Sequence, residues 1–250
     1  MIRSETGGRV ARIRFDRPEK KNAITAEMYA QLADALARAR EDSNVRAILL
    51  QGSAECFTAG NDLNDFLERP PHGEGSPTWR VFEILPALDK PLVAAVGGPA
   101  VGIGTTLLLH CDLVYASRDA RFQLPFVPLG VVPEFGSTYL LPLLAGYQRA
   151  AELLLLGQSF TAEKAYEIGI VTAVVPQDRL LDEAAKAAAA LAALPPQSVR
   201  ITKRLMKSWH AQVVKAAIAE EGRVFLERLA SPEAKEAMRA FLEKRKPDFS

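Results

Sequence analysis

The chain has 250 residues, 48% hydrophobic and 24% charged, with a formal net charge of +1. A folded chain of this length buries about three quarters of its unfolded surface, enough for one large core or a core with an appendage. The near-zero charge offers no field for nucleic acid, and no apolar run reaches the roughly 18 residues of a membrane span, since those around Leu107 and Leu153 are broken by polar residues or glycine.

The N-terminus, MIRSETGGRVARIRFDRP, has no apolar signal-peptide core and is itself strand-like. Cys56 and Cys111 sit in apolar contexts without metal or disulfide spacing, so a reducing cytoplasm is the expected setting. VARIRFD predicts a strand over 10–16, ended by the turn RPEKKN. An amphipathic helix follows over 25–44, opened by Thr25 as N-cap with a carboxylate two residues later. VRAILLQGS and KPLVAAVGG read as buried strands, and DLVYAS and ARFQLP as two more. TAEKAYEIG predicts a short helix ahead of a late strand over 169–176, and the glycine- and proline-rich stretch over 68–80 a mobile loop. From Gln177 onward the pattern is helical, with a core ending near Pro195 and an all-helical part over 196–250. Continuous apolar strands alternating with helices predict an α/β fold with strands buried on both faces.

Four glycines crowd into the eight residues GGPAVGIG, after a strand and before an apolar run. A dinucleotide fingerprint would need glycine where Leu107 stands, and a phosphate-binding P-loop would need Gly-Lys-Ser/Thr, which is absent. Two readings stay open: a tight turn packing helix on sheet, or a helix N-terminus whose amides bind negative charge. A second such turn, ECFTAGNDL, follows another strand and places Ala59, Gly60, Asn61 and Asp62 at a helix start. Two turns of this kind can each lend one N–H to a single oxyanion, as a thioester enolate requires.

The pairing of FTAGNDL with KPLVAAVGGPAVGIGTTLLLHCDLVYAS resembles the crotonase (enoyl-CoA hydratase/isomerase) superfamily. FDRPEKKNAIT, ARFQLPFVPLGVVPEFGSTYLLPLLAG, LGQSFTAEKAYEIGIVTAVVP and FLEKRKPDF extend the likeness over essentially the whole chain. The resemblance implies a spiral of ββα units over 1–195. It also implies C-terminal helices over 196–250 that form a homotrimer or a dimer of trimers, and acyl-CoA thioester substrates. The oxyanion donors it implies are the backbone amides of Asn61 and Ile103, with Ala59, Gly60, Asp62, Leu63, Gly104 and Phe126 around the substrate.

In the hydratases of this superfamily two glutamates activate water. Their positions correspond here to Thr106 and Phe126, and neither side chain can exchange protons near neutral pH. One acid remains in the neighbourhood, Glu134, flanked by Val131, Val132, Pro133 and Phe135. Its apolar setting raises a carboxyl's pKa, while a helix N-terminus there would lower it. Glu134 reads either as an ordinary first-turn glutamate or as the single base of the Δ3,Δ2-enoyl-CoA isomerase branch, which its context resembles most. In that branch one base moves a proton from C2 to C4 of a 3-enoyl thioester, with no metal, nicotinamide or flavin.

The alternatives are a hydratase-like enzyme, a dehalogenase, a thioester hydrolase, or an inactive acyl-CoA-binding or RNA-associated scaffold. No second acid or histidine stands at a place matched to the first three. His72, His110 and His210 lack triad partners and read as structural or surface residues. Asp112 reads as a turn or buried hydrogen-bonding residue, and Asp62 as a helix cap whose turn would also border an adenine pocket. Lys244, Arg245 and Lys246, like Lys20 and Lys21, serve either a coenzyme A phosphate or a solvated surface.

Overall fold

The computed structural model describes residues 1–68, 73 and 75–249. β1 (Ile2–Gly7) and β2 (Val10–Phe15) form an antiparallel hairpin, and α1 (Ala26–Glu41) follows, its first turn capped by the Thr25 hydroxyl. Then come β3 (Ala47–Gln51), α2 (Leu63–Glu68), α3 (Pro77–Ala87), β4 (Leu92–Val96), β5 (Pro99–Val101), α4 (Ile103–Thr106), β6 (Leu113–Ser117) and β7 (Arg121–Gln123). The chain continues through α5 (Ser137–Ala145), α6 (Tyr147–Leu156), β8 (Phe160–Thr161), α7 (Ala162–Glu167), β9 (Ala173–Val175) and α8 (Leu180–Ala193). α9 (Pro196–Ser208), α10 (Ala211–Leu229) and α11 (Pro232–Leu242) close it.

Six strands pair in the order β1-β2-β3-β4-β6-β9, parallel except for the opening hairpin. A smaller sheet runs β5-β7-β8. Each turn of the chain thus gives one strand to the large sheet and the next to the small one, which is the expected spiral. Parallel bridges Ile24↔Asn61 and Thr58↔Ala100 extend the small layer to the segments after β2 and β3.

β3 and β4 are buried on both faces, which is why they read as unbroken apolar runs. One face carries Ile48, Leu50, Leu92, Ala94 and Val96, which share one buried cluster with the apolar faces of α1 and α3. The other carries Ala47, Leu49, Val93 and Ala95 against α8, where Leu180, Ala184, Ala188 and Ala192 face the sheet at four-residue spacing. Alanine at these positions lets the helix axis lie close to the strands, a packing role beyond helix propensity.

Four expectations need correction. The loop over 68–80 ends earlier than predicted, because Ser76 caps Trp79 N–H and Pro77 opens α3, while Glu68 belongs to α2. His72 lies outside the described residues. The glycine-rich stretch holds an extra strand, β5, and the helix after it is one turn long before continuing as a 3₁₀ turn to His110. The late strand is shorter than 169–176, and the helical run after Val199 breaks at Trp209–His210. Among the described residues no helix is long and apolar enough to cross a membrane.

Asn22 ties the N-terminal turn to the site. Its side chain accepts from Arg17 N–H (2.8 Å) and donates to the carbonyls of Cys56 (3.1 Å) and Phe57 (3.0 Å). Replacing Asn22 with Ala strands these buried groups, at a cost of about 2–3 kcal/mol. At about 2–4 °C per kcal/mol for a domain this size, N22A should melt roughly 5–10 °C lower by differential scanning fluorimetry. A change of less than about 1 °C would show that the brace carries no weight.

Candidate active site

The two glycine turns lie side by side. Ile24 N–H donates to the Gly60 carbonyl (2.8 Å), and the Ile24 carbonyl accepts from Asp62 N–H (2.9 Å). This parallel bridge engages the residues on either side of Asn61, so the Asn61 amide points away from Ile24. Thr58 makes the same pattern with β5, donating to Pro99 (3.0 Å) and accepting from Val101 (3.1 Å). Gly60 (φ +89°) passes so close to β5 that a Cβ there would lie 2.7 Å from the Val101 carbonyl oxygen. Gly102 (φ 55°, ψ −117°) takes a backbone shape closed to other residues and turns β5 into α4, with Ile103 first in the helix. Among the described residues neither the Asn61 nor the Ile103 amide donates to an acceptor within the chain. The Asn61 side chain is held from behind by the Tyr29 hydroxyl, which donates to its Oδ1 (2.6 Å).

Asn61 and Ile103 share a cavity of about 660 Å³ with Ala59, Gly60, Asp62, Leu63 and Phe126. Lys20, Lys21 and Arg245 also line it. Gly104 does not; it packs beneath, where a Cβ would lie 2.7 Å from Thr58 Cγ2. A small side pocket of about 40 Å³ joins Asn61 to Glu134, Phe66, Trp79, Phe82 and Phe225. Asn61 therefore belongs to both walls.

Glu134 is 5% exposed, and burial pushes its carboxyl up to about 8. The charge of Glu221 adds to the rise, and the Thr106 hydroxyl, donating to Glu134 Oε1 at 3.4 Å, opposes it. Thr106, where the sequence resemblance expects a hydratase acid, thus touches the buried Glu134 instead. Glu134 does not lie in the first turn of a helix, for α5 begins at Ser137 after Phe135 (φ 63°) and Gly136 (φ 75°). The Phe135 ring lies 4.1 Å from both Phe82 and His110. His110 is driven down to about 3 by burial, hence neutral, and its Nε2–H donates to the Phe135 carbonyl (2.8 Å).

The helix N-terminus that could have lowered the Glu134 pKa is occupied by Glu221 of α10, which accepts from Gly136 N–H (2.5 Å) and Thr138 N–H (2.8 Å). A second acid is therefore present, although no position matched by motif revealed it. Its signal was periodicity: Val214, Ile218, Glu221 and Phe225 fall on one buried stripe of α10. Tyr29 was also missed, and an apolar helix face containing one tyrosine carries no comparable cue.

His210 bonds Tyr139 (2.7 Å). Asp112 accepts from Leu92 N–H (2.7 Å) and from Lys203 (2.6 Å), pinning α9 to the sheet. Asp62 caps α2 and pairs with Arg17 (2.7 Å). Arg245 is engaged by Glu236 and Glu243, and Lys244 and Lys246 are exposed away from the cavity wall.

Because the fold raises the Glu134 pKa, the native state keeps a proton that the unfolded chain releases, and stability falls as pH rises from about 4.5 to about 8. Glu134→Gln should therefore melt above the wild type at about pH 9, with the gap closing near pH 5. Equal melting differences at both pH values would contradict a buried, proton-holding Glu134.

Comparison with known proteins agrees with this architecture. Residues 5–250 match the family model described as enoyl-CoA hydratase/isomerase. The chain is 34% identical to the 2,3-dehydroadipyl-CoA hydratase of Escherichia coli K12 over 96% of its own length and 95% of that protein's. It is 36% identical to human enoyl-CoA delta isomerase 2 over 98% of its length, spanning 63% of that longer protein. The crystal structure of an enoyl-CoA hydratase/isomerase from Pseudoalteromonas atlantica T6c superposes with a TM-score of 0.95 at 43% identity, covering 100% of this chain and 99% of that one. With the spiral, the paired turns and a match over nearly its whole length, the chain belongs to the enoyl-CoA hydratase/isomerase family.

Proposed function

We propose that this acyl-CoA-processing enzyme is a Δ3,Δ2-enoyl-CoA isomerase with Glu134 as its proton shuttle. The observation that carries the reading is Glu134, buried on the pocket wall beside Asn61; the family resemblance supports it, for it puts Thr106 and Phe126 at the two positions of the hydratase glutamates. The thioester oxygen binds the amides of Asn61 and Ile103. Ionised Glu134 takes a proton from C2 of the 3-enoyl chain, and the C–H electrons move into a dienolate whose oxyanion those amides stabilise. Protonated Glu134 then returns the proton to C4, so the double bond moves from C3–C4 to C2–C3 and the base is regenerated.

Addition of water needs a second acid free to hold it, and Glu221 is consumed as a helix cap. Lys20 and Lys21 supply positive charge for coenzyme A phosphates at the cavity. Ile201, Leu205 and Trp209 form an exposed apolar row on α9 and its C-terminal end, which supports association into a trimer or hexamer.

Purified protein should convert 3-hexenoyl-CoA to the conjugated thioester, read by its absorbance, far faster than it hydrates crotonyl-CoA. Comparable hydration would favour the hydratase reading, and silence with both substrates a scaffold. Glu134→Gln should lose about 10²–10⁴-fold in kcat with little change in coenzyme A binding. Since the base works deprotonated, kcat/KM of the wild type should rise with pH through about 8 and then level. A flat profile from pH 6 to 9 would reject Glu134 as the base.

A further inference from the structure

Glu221 is 6% exposed and spends its carboxylate on the first turn of α5, accepting from Gly136 N–H, Thr138 N–H and the Thr138 hydroxyl. α5 has no cap of its own, because the residue at its N-cap is Gly136. A negative charge at this end is also favoured by the orphan amides and the helix dipole. The capped residues begin two positions after Glu134, and between them Phe135 holds φ 63°, a conformation that costs a bulky residue energy. The turn therefore needs holding at both ends. His110 grips the Phe135 carbonyl, and Glu221 grips the Gly136 and Thr138 amides beyond it.

We propose that Glu221 is a positioning residue for Glu134: by capping α5 it holds the turn that presents the base, and its charge behind that carboxylate moves upward the pH range in which the base works. The proposal rests on Glu134 being the base. Burial raises the Glu221 pKa while its bonds to Thr138 and Gly136 lower it, and the charge of Glu221 is among the causes that raise Glu134.

Among the described residues, Glu221 is the one charged group among the causes that move Glu134. Tyr29 of α1 stays neutral, its pKa held well above 10.0 by burial and by Glu134. Thr106 of α4 and neutral His110 contribute hydrogen bonds. His210 is bonded to Tyr139, further along α5. The α9 cations Lys203 and Lys207 are engaged by Asp112 and the His110 carbonyl, and Glu83 of α3 accepts from Trp79. On α10 itself Arg223 is exposed and bonds Glu220 and Glu227.

Glu221→Gln keeps the size and an acceptor oxygen but removes the charge. In E221Q the rising limb of kcat/KM should move to lower pH. The ratio of activity at about pH 6.5 to that at about pH 9 then increases several-fold, up to about tenfold if the limb moves by a full pH unit. At the same time kcat on the plateau should fall as the turn loosens. A purely structural cap would lower kcat and melting temperature with the limb unmoved, and that result overturns the proposal. If E221Q does not fold, the wild type labelled with carboxyl-¹³C glutamate gives the second measurement. The Glu221 resonance should complete its titration below the pH at which the Glu134 resonance titrates, so that its charge is in place when the base ionises. A Glu221 that keeps its proton through the Glu134 titration refutes the coupling. This readout needs no substrate, so it separates failure of the coupling from failure of the isomerase reading.

Discussion

Thr58 is bonded on every side: its amide to Pro99, its carbonyl to Val101, and its hydroxyl to both the Asn22 carbonyl and the Gly60 amide. The site depends on this one fully buried residue, because it fixes the separation of the two turns that offer Asn61 and Ile103. An oxyanion site built from backbone amides works only if the donors are aimed before the charge develops. Side-chain donors could be re-aimed by rotation; backbone donors need the chain itself to be pinned. That requirement accounts for the bridges, for the close passage of Gly60 over β5, and for the Asn22 brace beneath.

The electrostatic problem is the reverse. As the base we propose, Glu134 must be able to ionise, yet it sits among aromatic rings that disfavour charge. Stability is surrendered for a carboxyl that holds its proton up to about 8, as the proposed role of this buried acid requires. The N-terminus of α5 would have relieved the cost had it pointed at Glu134. It points at Glu221 instead, so one buried carboxylate receives the amides and its neighbour remains poised to exchange a proton.

Much of this was legible in the chain. Unbroken apolar runs gave β3 and β4, Thr25 gave the start of α1, and the apolar flanks of Glu134 marked an unusual acid. The misses have physical causes. β5 is three residues between glycines, too short for any period to register. Ser76-Pro77, a cap followed by proline at the first helical position, was a readable helix start hidden among loop-like residues. The break at Trp209–His210 has neither glycine nor proline to announce it. Glu221 was hardest, because its role comes from tertiary contact across 85 positions, although the buried stripe of α10 pointed to it.

The proposed oxyanion site, whose donors are main-chain N–H groups, has an evolutionary consequence. No exchange of side chain at Asn61 or Ile103 can delete the donors, short of proline, so the charge-stabilising half of the chemistry is insulated from most point mutation. The acids enjoy no such protection: a single substitution at Thr106, Phe126 or Glu134 adds or removes a proton carrier in an otherwise intact pocket. Heritable change in such a scaffold therefore falls on which bond is made or broken next, while stabilisation of the oxyanion is conserved by the polymer itself.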